Sequence, residues 1–113
     1  SDLLHVDGGH KLKSPVLVLQ GVSPGARLSL VSGSAPGVST IFNAFPVPVE
    51  NARVLQSSLK ADRTGSFEWN KLDTALLNED RHWLCVVAYP PKKSAGRAQR
   101  KTIIAGPVNI SHK

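Results

Sequence analysis

Every apolar run in this chain is no longer than a β-strand, and prolines or glycines close most of them. The longest, Trp83 to Ala88, spans six residues, against the roughly 18 that a membrane-crossing helix needs. Nine Gly and eight Pro in 113 residues set turns at short intervals, because Pro fixes φ and Gly reaches positive φ without strain. Only 71–81 (KLDTALLNEDR) tolerates a helical turn, with Leu72 and Leu76 four residues apart. A chain of this size makes one domain whose core hides roughly two-thirds of the surface the unfolded chain exposes, without disulfide or metal. The single cysteine, Cys85, has no partner within the chain and lies in an apolar run, where a thiol acts as a small hydrophobe.

Seven strands follow from the pattern. Residues 16–20 (VLVLQ) form a continuous apolar run; 26–32 (ARLSLVS) alternates strictly; 40–45 (TIFNAF) is β-branched and aromatic. Residues 54–61 and 66–69 flank the turn Asp62-Arg63-Thr64-Gly65 and read as a hairpin, with Phe67 and Trp69 on one face. The run 82–89 (HWLCVVAY) is the strongest strand, and 102–110 is its antiparallel neighbour. Residues 21–25 and 32–39 read as loops, and Pro46 and Pro48 confine 46–49 to a sheet edge or a crossing between sheets. Residues 1–14 are polar apart from Leu3, Leu4 and Val6 and read as an extended N-terminal arm, with the domain proper at 15–113. Short strands with no βα alternation predict an antiparallel β-sandwich.

The residues that carry a resemblance are Val16-Leu17-Val18-Leu19-Gln20-Gly21, Ser23-Pro24-Gly25-Ala26-Arg27-Leu28-Ser29-Leu30, Ala61-Asp62-Arg63-Thr64-Gly65-Ser66-Phe67 and Val86-Val87-Ala88. Their order resembles the bacterial immunoglobulin-like domains of surface and phage proteins. The resemblance runs from about Pro15 to Ile110 and departs in two places. A basic loop stands where such domains carry an acidic, Gly-Asn-rich turn, and 41–49 is rich in Pro and Phe. It implies an Ig-like sandwich of about seven strands, structural or adhesive roles, no cofactor and no catalytic residues.

Constellations for catalysis are thin. Gly21-Val22-Ser23-Pro24-Gly25 spells Gly-x-Ser-x-Gly, yet a nucleophile elbow needs a helix after the serine and a strand is expected there. His5, Asp7 and His10 straddle Gly8-Gly9 with no fourth ligand nearby and read as a solvated tail. Asp62 and Glu68 read as a turn former and a surface charge rather than an acid–base pair. No enzyme is expected.

Charge is more informative. Fourteen Lys and Arg against eight Asp and Glu leave +6, and Lys92, Lys93, Arg97, Arg100 and Lys101 gather five of those cations in an acid-free stretch between two late strands. Such a loop attracts an acidic protein face, an acidic glycan or lipopolysaccharide. Nucleic acid ranks third, because no aromatic side chain interleaves with the cations between Pro90 and Ile103. A second candidate surface lies on the strand 82–89. With Leu84, Val86 and Ala88 facing the core, Trp83, Cys85, Val87 and Tyr89 line the other face, and an apolar face needs cover. The arm, the Phe42 and Phe45 segment or a partner subunit would supply it. The expectation is therefore a docking module of a virion or bacterial surface, contacting its assembly through the five cations, Trp83 and Tyr89. An adhesin fragment or carbohydrate-binding module is the alternative. Ser1 and the absence of methionine fit a removed initiator, a cleaved signal or an excised piece alike.

Overall fold

The computed structural model describes residues 3–7, 16–42, 45–70, 83–90 and 102–110. Among these, every regular element is a β-strand and every pairing is antiparallel. The first sheet holds β1 (Leu4–Asp7), β2 (Val16–Leu19) and β7 (Phe67–Trp69) in the order β1-β2-β7. The second holds β3 (Arg27–Gly33), β6 (Arg53–Lys60), β8 (Trp83–Tyr89) and β9 (Ile103–Asn109) in the order β6-β3-β8-β9. A third, two-stranded sheet pairs β4 (Pro36–Ile41) with β5 (Phe45–Val49). The expected all-β class holds. The described strands number nine rather than about seven.

The period of two along β8 organises the layers. Leu84, Val86 and Ala88 enter a core between the first and second sheets, with Leu17 and Leu19 from β2 and Leu28 and Leu30 from β3. Cys85 and Val87 point the other way, into a second cluster with Val31, Ile41, Val47 and Val49. The β4–β5 hairpin therefore covers the outer face of the second sheet. Of the three candidate covers, the Phe45 segment is the one in place, with Phe45, Trp83, Tyr89 and Ile104 half-buried around this second cluster. Pro46 and Pro48 sit in a sheet of only two strands, where a missing N–H leaves no further neighbour unpaired.

Three expectations need correction. Residues 40–45 are not one strand, because Ile41 pairs with Phe45 and the chain reverses between them. Apolar residues on both sides of a tight reversal had the look of a single run. Residues 36–39, read as loop, belong to β4 despite their Pro and Gly, held by β5 and by Ser39, whose Oγ donates to the Val49 carbonyl and accepts the Ala52 N–H at 3.0 Å. Part of the expected arm is also structured: β1 pairs with β2 along its length and Leu4 is buried.

A further correction concerns the turn Asp62 to Gly65. It does not close a hairpin, because β6 pairs with β3 whereas β7 pairs with β2. The turn is an arch between sheets, as is the parallel connection 20–26 from β2 to β3. The two arches lean on each other. The Val22 N–H donates to the Gly65 carbonyl at 3.2 Å and the Ala61 N–H to the Ala26 carbonyl at 2.8 Å. Gly65 has φ +76°, and a Cβ there would run into the Val22 carbonyl oxygen, so only glycine fits. The possible helical turn at 71–81 lies outside the described residues.

Candidate binding site

Both arches and the start of β9 lie at one end of the sandwich. Arg27 opens β3 and stands across from Lys60 on one side and Tyr89 on the other. Ala88 pairs with Ile103, so the chain leaves β8 and enters β9 at this same pole. By sequence, Lys92, Lys93, Arg97, Arg100 and Lys101 all lie between those two strands, although their own positions are outside the described residues. Like charges directly across a strand pair are unfavourable, and Arg27 and Lys60 occupy such positions.

The distribution of charge sharpens this picture. Among the described residues, Arg27, Arg53, Lys60 and Arg63 are matched in number by Asp7, Glu50, Asp62 and Glu68. The whole net charge of +6 thus belongs to the segments outside them.

At the same pole a cleft of roughly 280 Å³ opens on the outer face of the second sheet, lined by Arg27, Leu28, Ser29, Phe42, Ser57, Ser58 and Tyr89. A bulge shapes its floor. Leu28 pairs with Leu59 but Leu30 pairs with Gln56, so Ser57 and Ser58 together stand opposite Ser29. The extra residue bends the edge strand and redirects side chains. Ser58 takes φ +63°, a left-handed conformation that glycine adopts more easily. Phe42, at the tip of the β4–β5 hairpin, also lies in that region at φ +51°, and its side chain is 59% exposed. The Arg27 guanidinium stands 5.8 Å from the centroid of the Tyr89 ring, and Tyr89 in turn meets Phe45 edge-on at 6.3 Å. The cleft thus joins a cation, an exposed aromatic ring and the hydroxyl side chains of Ser57 and Ser58, with no carboxylate among the described residues of its lining.

The two aromatic residues expected on the contact surface are not brought together. Trp83 and Tyr89 stand at opposite ends of β8, six residues or about 20 Å apart. Tyr89 belongs to the cleft; Trp83 pairs with Gly33 and Asn109 at the far pole and packs in the second cluster. Sequence reasoning passed over Arg27, Phe42, Ser57 and Ser58. The one available signal was the polar pair Ser57-Ser58, which interrupts the apolar run of its strand.

Other groups take structural places. Ser23 sits in the strand-to-strand arch and is followed by β3, not by the helix of a nucleophile elbow. Asp62 Oδ1 accepts from the Thr64 hydroxyl at 2.7 Å, the Thr64 N–H at 2.9 Å and the Ser66 N–H at 3.0 Å. These bonds, the Thr64 hydroxyl first, hold its carboxyl below the usual carboxylate value. Cys85 is fully buried, and the loss of solvent pushes its thiol up to about 12. Among the described residues, no three His, Cys, Asp or Glu side chains gather to hold a metal; His5 is exposed on β1 and His10 lies outside them. No described helix is long and apolar enough to cross a membrane. Comparison of the chain with known protein families, with curated proteins and with solved structures found no match.

Proposed function

We propose that the chain is a non-enzymatic docking module of the immunoglobulin-like kind, fixing itself to the acidic surface of a larger assembly such as a phage virion or a bacterial envelope. One observation carries the reading: the formal charges of the described residues balance, and five of the remaining cations, Lys92, Lys93, Arg97, Arg100 and Lys101, fall by sequence between β8 and β9 with no acid among them. A concentration of like charge of this kind attracts acidic surfaces.

The strand order supports the Ig-like part. Counting β1, β2, β3, β6, β7, β8 and β9 as the seven strands of a sandwich, three lie in one sheet and four in the other. This differs from the constant-type arrangement in one respect: the fourth strand pairs with the third instead of the fifth. The β4–β5 hairpin is then an insertion between the third and fourth strands. The Pro- and Phe-rich stretch that departs from the family pattern is this insertion.

Sedimentation tests the docking reading. The native protein is expected to travel with virions or envelope fragments from its source, and replacement of Lys92, Lys93, Arg97, Arg100 and Lys101 by serine is expected to release it without lowering its melting temperature. Free monomer in the presence of every such particle would overturn the reading. So would association untouched by the five replacements. A second reading, a module for acidic glycans, is favoured by the cleft, whose aromatic, cationic and hydroxyl lining suits a sugar better than a flat protein face.

A further inference from the structure

We infer that the cleft beneath Phe42 is a subsite for one carboxylated sugar ring of an acidic polysaccharide. The inference rests on the acidic-glycan reading of the basic pole and gives it a specific contact.

Size sets the first limit. At roughly 280 Å³ the cleft lies at the small end of ligand pockets, which begin at about 300 Å³. It holds one ring and leaves the rest of a polymer outside. Chemistry sets the second. Arg27 offers a planar fork of N–H donors that matches a carboxylate in two-point contact. Tyr89 lies beside that guanidinium at 5.8 Å, so the charge is positioned before any ligand arrives. Ser57 and Ser58 line the wall as exposed residues whose hydroxyls can each donate one hydrogen bond and accept others, while Ser29 is buried at its floor. Phe42 supplies an exposed ring on which the apolar face of a sugar can lie.

Backbone strain is the independent sign. Two non-glycine residues of the lining, Phe42 and Ser58, hold positive φ. Such residues persist where the surroundings fix them, and they concentrate at ligand sites. The bulge at Ser57 and Ser58 is a device of the same kind, turning side chains away from the regular ladder.

Calorimetric titration decides the matter, with trigalacturonate as the acidic probe, neutral galactotriose as its counterpart and inorganic sulfate as the plain anion. Trigalacturonate is expected to bind at least tenfold more tightly than either control. Arg27→Gln is expected to weaken it by roughly tenfold to a hundredfold, the range of a hydrogen bond to a charged group. Phe42→Ala is expected to weaken it about tenfold. Both substitutions are at exposed positions, so each variant is expected to melt as a folded protein, which thermal melting checks. Unchanged affinity in both variants overturns the subsite, as does sulfate binding that equals trigalacturonate. The five-serine loop variant separates this inference from the docking reading. If it abolishes capture by virions or envelopes while Arg27→Gln and Phe42→Ala leave trigalacturonate affinity intact, docking stands and the subsite falls. If trigalacturonate binding falls in the two cleft variants and particle capture ignores the loop, the subsite stands and the docking reading falls.

Discussion

The second sheet is covered on both faces, and the two covers differ in kind. On the inner face, Leu17, Leu19, Leu28, Leu30 and Leu84 fill a layer between two sheets whose connecting arches are bonded to each other. On the outer face a lone hairpin places Ile41, Val47 and Val49 over Val31, Cys85 and Val87. The first cluster is built of large aliphatic side chains contributed by strands far apart in sequence. The second is smaller, and much of it comes from one stretch of chain between β3 and β6. The strained residue Phe42 and the cleft it borders lie on the side of the hairpin, not on the side of the inner core. A stable layer sets the frame; the added layer carries the surface that is free to specialise.

The widest gap between the two layers should show in truncations at fully buried positions. Leu28→Ala removes a side chain from the inner layer and is expected to cost about 3–5 kcal/mol, lost transfer energy plus the cavity left behind. Val47→Ala, in the hairpin, removes two methyl groups and is expected to cost about 2 kcal/mol. Urea unfolding followed by tryptophan fluorescence measures both. Equal losses at the two sites would erase the distinction between frame and cover.

Cys85 gives the next test, because it lies under the hairpin and nowhere else. Burial raises its thiol from an ordinary 9.0 to about 12, so the folded chain holds the proton more tightly than the unfolded chain. Stability from this source is complete below pH 9 and declines as the pH climbs from there toward 12, by at most about 1.4 kcal/mol per pH unit. Relative to Cys85→Ala, the native protein should lose stability across that window, while the difference between them stays flat below it. Labelling by a thiol reagent at pH 7 should be slow in the native protein and faster in Val47→Ala. If labelling follows global unfolding alone, the hairpin does not open as a separate unit.

What the sequence makes legible divides along the same line. The inner layer follows from local alternation: Leu28 and Leu30 on one strand, and Leu84, Val86 and Ala88 on another, share a face by period two alone. The need for an outer cover was equally visible in Trp83 to Tyr89, where both faces are apolar. The arch at Asp62 was less so. Its turn is written in Asp62, Thr64 and Gly65, yet turn chemistry does not say which sheet the next strand joins. That is settled across the core, where Trp69 is buried and its indole N–H donates to Gln56 at 2.8 Å. The cleft was hardest to see, because its residues come from β3, the hairpin tip, β6 and β8. A bulge and a left-handed phenylalanine leave no periodic trace. The basic stretch announced itself by composition, and its residues lie outside the described ones.

The smallest expected effect separates strain kept for binding from strain without use. Phe42 is 59% exposed at φ +51°, so its side chain returns little packing for a backbone conformation that costs about 1 kcal/mol or more in a residue with a Cβ. Phe42→Gly relaxes that conformation but adds freedom to the unfolded chain. The expected net result is a gain of about 0.5 kcal/mol, from relieved strain less added entropy. Thermal melting checks the sign, and the same variant should lose trigalacturonate affinity along with the ring. A gain in stability joined to a loss of binding marks Phe42 as a position held for its ligand, since a residue fixed by packing would lose stability on the same change. A clear loss of stability instead would assign Phe42 to the outer layer and place it beside Val47 in the cover of Cys85.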